Sequence, residues 1–217
     1  MNKKKLIIFD LDGTLINTLK DLNNSVNHAL DKFNYPHRTI EQTRQDIGNG
    51  VAKLIARSIP NNENNPHYLE CLSIFKAHYR EHYFDYSRPY PEVKETLLEL
   101  KKRGYRLAVV SNKFHEGAYK LVTHYFENVF DAIQGHEEPY HTKPYPDMVN
   151  AVLLKLGISG GQALYVGDTE VDYNTAKNAQ IAVILVNYGY RSEEFLKDKI
   201  KGVTTIDTPK KLIDLLG

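Results

Sequence analysis

The chain has 217 residues, enough to bury a sizeable core in one or two domains. Lys and Arg number 28 against 27 Asp and Glu, a net charge of +1, so charge offers no argument for binding nucleic acid or a membrane surface. A single cysteine, Cys71, excludes an internal disulfide and fits a reducing cytoplasm, and no apolar run approaches the length of a membrane span.

The basic start, Met1 to Lys5, leads into only four apolar residues before Asp10, too short for a signal-peptide h-region, so a cytoplasmic protein is expected. Leu6-Ile-Ile-Phe9 reads as a short buried strand that runs straight into Asp10 and Asp12. Residues two apart on a strand point the same way, so the two acids converge on one point if the extended geometry persists. Gly13 allows a sharp turn and the close approach of a ligand.

Across 16–86 apolar residues recur at helical spacing. Leu19, Leu22, Val26, Ala29 and Phe33 form one set, Val51, Leu54, Ile55 and Ile59 a second, and Leu72, Phe75, Tyr79 and Tyr83 a third. No strand signal interrupts this block, and Asn61 to Pro66 is a polar break between helices. The pattern changes at Pro91, which suits a helix start, with Val93, Leu97 and Leu100 on its apolar face and Gly104 at its end.

Strands then alternate with helices: Arg106–Val110, a helix through Ala118 to Tyr125, Phe130–Ile133, a helix through Val149 to Leu156, Ala163–Val166, a helix over Val171–Ala179, Ile181–Val186, a weak strand at Gly202–Ile206 and a last helix. Such alternation implies an α/β fold, a doubly wound parallel sheet with helices on both faces. The helical block breaks the alternation after the first strand. It reads as an inserted α-helical cap over 16–86, on a core of 1–15 plus 87–217.

In a parallel sheet the strands end on one edge, where ligands bind. The first strand ends in Asp10 and Asp12. Arg106–Val110 ends in Ser111 and Asn112. The loop after Phe130–Ile133 leads to Lys143, and Ala163–Val166 ends in Gly167-Asp168 with Asp172 four residues on. Each alone has a plain reading: an Asp or Ser after a strand is often a helix cap, and a lone lysine is usually solvated. Together on one edge they suit phosphoryl transfer. Asp10 and Asp168 can hold Mg²⁺, helped by a backbone carbonyl near Asp12. One carboxylate can act as nucleophile and the other as acid and base. Ser111, nearby amides and Lys143 can neutralise phosphoryl oxygens, and Gly13 and Thr14 can add backbone contacts.

These residues resemble, in order and spacing, the four motifs of the haloacid dehalogenase superfamily. The motifs are Asp10 to Thr14, Val109-Val110-Ser111-Asn112, Lys143 in Lys-Pro-Tyr-Pro, and Gly167-Asp168 with Asp172. The resemblance covers essentially the whole chain. It implies that Asp10 is the nucleophile and a Mg²⁺ ligand, that Asp12 is the acid/base and binds the metal through its carbonyl, and that Asp168 is the second carboxylate ligand. It places Asp172 in support, through a metal-bound water or Lys143. Asp12 argues against a true dehalogenase, which lacks an acid there. The helical cap, Ile47-Gly48-Asn49-Gly50 and Ser111-Asn112-Lys113 resemble phosphoglycolate phosphatases, in which a cap closes over the substrate. Asn17-Thr18, where many relatives carry Asp-Ser, and the polar stretch His136 to His141 depart from the pattern.

Several residues read two ways. Gly48-Asn49-Gly50 is a substrate loop or only a turn between cap helices. Asn112 binds phosphate or contributes only its backbone. Asp172 is a site residue or a structural acid. His136, Glu137 and His141 match no closed metal-ligand set and read as a polar loop, and Arg191 reads as surface. The expected function is hydrolysis of a small phosphorylated metabolite with Mg²⁺, 2-phosphoglycolate first, by a monomer or homodimer. The alternatives are another ester (sugar phosphate, nucleotide or pyrophosphate), a phosphomutase, or a non-catalytic binding module.

Overall fold

The computed structural model describes residues 4–217; Met1, Asn2 and Lys3, part of the basic start, lie outside the described residues. The chain separates into two compact units. One comprises the residues up to Ile16 together with Pro89–Gly217, and the other Asn17–Arg88.

The strands in chain order are β1 (Leu6–Phe9), β2 (Ile16–Asn17), β3 (Arg88–Pro89), β4 (Arg106–Phe114), β5 (Ala132–His136), β6 (Ala163–Gly167), β7 (Ala182–Val186) and β8 (Thr204–Ile206). Strands β2 and β3 pair as a two-stranded ribbon where the chain leaves the first unit and returns to it. The other strands form a six-stranded sheet in the order β5-β4-β1-β6-β7-β8, with every pairing parallel. The helices of this unit are α5 (Val93–Lys102), α6 (His115–Tyr125), α7 (Asp147–Leu156), α8 (Glu170–Asn178), α9 (Glu193–Lys199) and α10 (Lys211–Leu216).

Strand β1 is central because its residues are apolar without a break. Leu6, Ile7 and Ile8 are fully buried, which only a strand covered on both faces requires. Leu6 and Ile8 pack with Ala108, Val110, Met148, Val149 and Val152 on one side of the sheet. Each such side chain contributes roughly 1.5–3 kcal/mol by leaving water. The chain joins β1 to β4 on one side and to β6 on the other, so the strand order reverses beside β1 and opens a crevice at its carboxyl end.

The structure revises several boundaries. Strand β4 runs on to Phe114, past a bulge between Ser111 and Phe114, so Ser111 and Asn112 lie within the strand rather than after it. Strand β5 starts at Ala132, because Phe130 is taken up in edge contacts with the rings of Phe9 and Phe126. Ribbon strand β2 interrupts the block read as wholly helical, and two residues carry no periodicity to detect. Helix α9 had no signal beyond its cap, where Ser192 Oγ accepts from Phe195 N.

The helical unit holds α1 (Leu19–Asp31), α2 (Ile40–Asp46), α3 (Val51–Ser58) and α4 (Tyr68–His82). Its interior is built from Leu22, Val26, Ala29, Leu54, Ile55, Phe75 and Tyr79, spaced along their helices as the apolar pattern required. Thr39 opens α2 with a capping box shared with Gln42. Buried Asp21 on α1 ties down the far end of the unit, its carboxylate accepting from Tyr86 N, Ser87 N and Ser87 Oγ at 2.7–3.1 Å. Among the described residues no helix is long and apolar enough to cross a membrane.

Candidate active site

The crevice end of β1 carries Asp10, whose amide continues the ladder by donating to Val166 O at 2.9 Å. The side chain is buried, and its Oδ1 has no aligned hydrogen-bond donor, although Lys143 Nζ lies 2.8 Å away as an ion pair. Asp168, at the end of β6, is fully buried. Its Oδ1 accepts from Thr14 Oγ1 at 3.0 Å and its Oδ2 from Tyr190 N at 2.8 Å. Asp10, Asp168 and Asp172 each bring a carboxylate oxygen within 4.8 Å of the others.

Such a cluster of like charges out of water is unfavourable on its own terms. Burial pushes the Asp10 carboxyl up to about 7, against the pull of Lys143. Burial, then the charges of Asp172 and Asp10, push Asp168 well above the usual carboxylate range.

Lys143 is the internal counter-charge. It is 3% exposed, and its Nζ lies 2.7 Å from Asp172 Oδ1, 2.8 Å from Asp10 Oδ1 and 3.2 Å from the Tyr165 hydroxyl. Burial alone would lower its ammonium, but the carboxylates of Asp10 and Asp172 outweigh that and hold it well above its ordinary value. Asn112 sets its backbone: Lys143 N donates to Asn112 Oδ1 at 2.6 Å, and Asn112 Nδ2 donates to Lys143 O at 3.1 Å.

Asp172 sits in the first turn of α8 and reaches back over it. Its Oδ2 accepts from Asp168 N, Thr169 N and Thr169 Oγ1, and its Oδ1 holds Lys143. Its two oxygens thus join Lys143 to the turn that carries Asp168, and with Asp10 and Asp168 it completes a group of carboxylates close enough to share an ion.

Asp12, whose charge also acts on Asp10, meets a different lysine. A bend at Leu11, whose carbonyl accepts from Leu15 N and Ile16 N, precedes Asp12, which forms an isolated bridge with Ile16. Asp12 stands outside the three-acid cluster, and its carboxylate meets Lys113 Nζ at 3.1 and 3.3 Å. Ser111 is buried in β4, its Oγ accepting from Lys113 N at 3.2 Å.

Gly13 turns at φ +89°, and a Cβ there would lie 2.3 Å from Asp168 Oδ2. A Cβ on Gly189 would lie 2.4 Å from Gly13 O and 2.7 Å from Asp168 Oδ2. The backbone thus closes on Asp168 only because two side chains are missing. Hard oxygen donors and an excess of buried negative charge, three carboxylates around the Lys143 ammonium, fit a small divalent cation.

Gly48-Asn49-Gly50 joins α2 to α3 in the helical unit, where Arg57 donates to Asn49 Oδ1 at 2.8 Å and Asp46 O at 2.7 Å. His141 pairs with Asp147 and His115 with Glu137, and neither belongs to a metal-ligating group among the described residues. Arg191 is buried and paired with Glu170 rather than on the surface. Sequence reasoning overlooked the contacts of Lys113, Tyr165 and the Tyr190 amide. Only Lys113 left a trace, as the lysine two residues after Ser111.

Comparison with known proteins shows the family. Residues 7–186 match the family described as haloacid dehalogenase-like hydrolase. The phosphoglycolate phosphatase of Aliivibrio fischeri is 35% identical over 98% of this chain and 96% of its own. That of Aquifex aeolicus is 33% identical over the same shares, 98% and 96%. A solved structure from Lactobacillus delbrueckii subsp. bulgaricus, assigned as a phosphoglycolate phosphatase, superposes with a TM-score of 0.93 at 31% identity, covering 99% of this chain and 98% of that one. With its crevice acids and buried lysine on a six-stranded parallel sheet, the chain belongs to the haloacid dehalogenase-like hydrolases and is a phosphatase of that family.

Proposed function

We propose that this phosphatase is a Mg²⁺-dependent phosphomonoester hydrolase that works through a phosphoenzyme on Asp10, with 2-phosphoglycolate as its substrate. One observation carries the reading. At the crevice beside β1, the buried carboxylate of Asp10 is bracketed by a second buried carboxylate and by a buried lysine paired with its Oδ1. The substrate assignment is supported by the relatives at 33–38% identity that are named phosphoglycolate phosphatase.

Asp10 attacks phosphorus, the ester P–O bond breaks, and Asp12 gives its proton to the departing alkoxide. Water then attacks the phosphoryl group on Asp10 and passes a proton to Asp12. The P–O bond to Asp10 breaks, inorganic phosphate leaves and both acids are restored. Lys143 and Ser111 hold the charge of the phosphoryl oxygens, and Asn112 and Asp172 keep Lys143 in place. Asp10, Asp168 and the Asp12 carbonyl would hold Mg²⁺, which when bound would add to the neutralisation of those oxygens. The helical unit is proposed as a cap that selects the substrate, with Gly48, Asn49 and Gly50 as its contributing loop.

The test is phosphate release with Mg²⁺ and with EDTA from 2-phosphoglycolate, hexose phosphates, nucleotides, pyrophosphate and an aryl phosphate. Strong, EDTA-sensitive preference for 2-phosphoglycolate is expected. Broad release would keep the chemistry and reject the substrate. Transfer between positions of a sugar phosphate without net release would make the protein a mutase.

A further inference from the structure

An acid that serves both half-reactions has to keep one orientation through each of them. Asp12 stands beyond the end of β1, after a bend at Leu11 and in an isolated bridge with Ile16. Its carboxylate is oriented instead by Lys113, whose Nζ lies 3.1 Å from Oδ1 and 3.3 Å from Oδ2. Near-equal reach to both oxygens restrains the carboxylate plane as well as its position.

Lys113 is itself tightly placed. It is 4% exposed, in the part of β4 that bulges, and its amide donates to Ser111 Oγ at 3.2 Å. Its carbonyl lies 2.7 Å from where a Cβ on Gly135 of the neighbouring strand would sit, so that strand crowds it into place. A lysine buried this deeply is costly without a carboxylate, which keeps the ammonium on Asp12. Lys143, by contrast, serves Asp10 and Asp172. The site therefore carries two buried lysines with separate tasks.

We propose that Lys113 is a positioning residue that holds the Asp12 carboxylate in register for proton transfer. The proposal rests on the phosphatase reading, in which Asp12 is the acid and base. The decisive experiment is a double-mutant cycle on phosphate release from 2-phosphoglycolate, or from whichever ester the wild type hydrolyses best, with Lys113→Met and Asp12→Asn made singly and together.

If Lys113 acts through Asp12, Lys113→Met lowers kcat by about 100-fold, the scale of one acid–base group. KM then moves less than about threefold, since substrate binding is untouched. In the Asp12→Asn background the same change costs less than about threefold more, because the group it positions is already gone. Equal losses in both backgrounds, or a loss carried by KM, would overturn the proposal. Lys113→Gln, which keeps a donor of similar reach, covers a methionine variant that does not fold. It is expected to keep more activity than Lys113→Met and to be silent in the Asp12→Asn background, and an equal loss in both backgrounds overturns the proposal here too. Failure of the wild type to release phosphate from any ester would overturn the phosphatase reading and this proposal together, and is told apart by needing no variant.

Discussion

Replacing Lys143 with methionine removes the ammonium 2.8 Å from Asp10 and 2.7 Å from Asp172 while keeping the length of an apolar stem. The loss is then one of charge rather than volume. Removing one partner of a buried ion pair typically costs about 3–5 kcal/mol, because the other charge stays buried and uncompensated. In a protein of this size each kcal/mol lowers Tm by about 2–4 °C, so a fall of roughly 6–20 °C is expected at pH 8 in EDTA.

The pH dependence follows from Asp10. Its carboxyl is raised from 3.8 to about 7 on folding, burial outweighing the pull of Lys143. For an acid raised in this way, stability is complete below the unfolded value and is lost as pH rises through the folded one. Without Lys143 the rise is larger, so the variant suffers most above pH 7 and recovers towards pH 5. Thermal melts of the EDTA-treated wild type and variant, followed by circular dichroism across pH 5–8, would show a deficit that shrinks on acidification. A variant within 2 °C of the wild type at pH 8, or a deficit constant across the range, would refute the idea that Lys143 neutralises these carboxylates.

Asp10 has to lose its proton before it can hold a cation, so Mg²⁺ affinity should fall about tenfold per pH unit below about 7. Calorimetric titration from pH 5.5 to 8 checks this, and a flat profile would remove Asp10 from the ligand set. Gly13→Ala forces a Cβ to within 2.3 Å of Asp168 Oδ2 at a φ of +89°. Displacing Asp168 by an ångström should cost about 100-fold in phosphate release, and near-wild-type turnover would show that the turn tolerates the side chain. Asp21→Ala strands the buried amide of Ser87, and that of Tyr86, in the helical unit. Urea unfolding should report a loss of about 2–3 kcal/mol, whereas a change under about 0.5 kcal/mol would mean that water replaces the carboxylate.

Much of the fold was legible because burial on both faces leaves a plain mark. Leu6-Ile-Ile-Phe9, Leu107 to Val110 and Ala163 to Val166 are uninterrupted apolar runs, each ending in polar residues, and only a covered parallel sheet explains such runs. The ribbon strand β2 and the helix α9 were not legible, since elements this short are set by neighbours rather than by their own pattern. At the site, the residue types and their places at strand ends could be read, but their partners could not. Asp10 and Asp12 look like a matched pair in the chain, yet one meets Lys143 and the other Lys113.

The physical reason lies in range. Hydrophobic periodicity and strand-end polarity are local properties, repeated every few residues, so one chain suffices to place acids, hydroxyl and lysine along one edge of a sheet. Which carboxylate receives which ammonium depends on the register of β4 against β1 and β5, on the bulge after Ser111 and on the turn that Gly13 allows beside Asp168. Some of these contacts join residues more than a hundred positions apart, Asp12 with Lys113 and Thr14 with Asp168 among them, and they exist only once the sheet has closed around them.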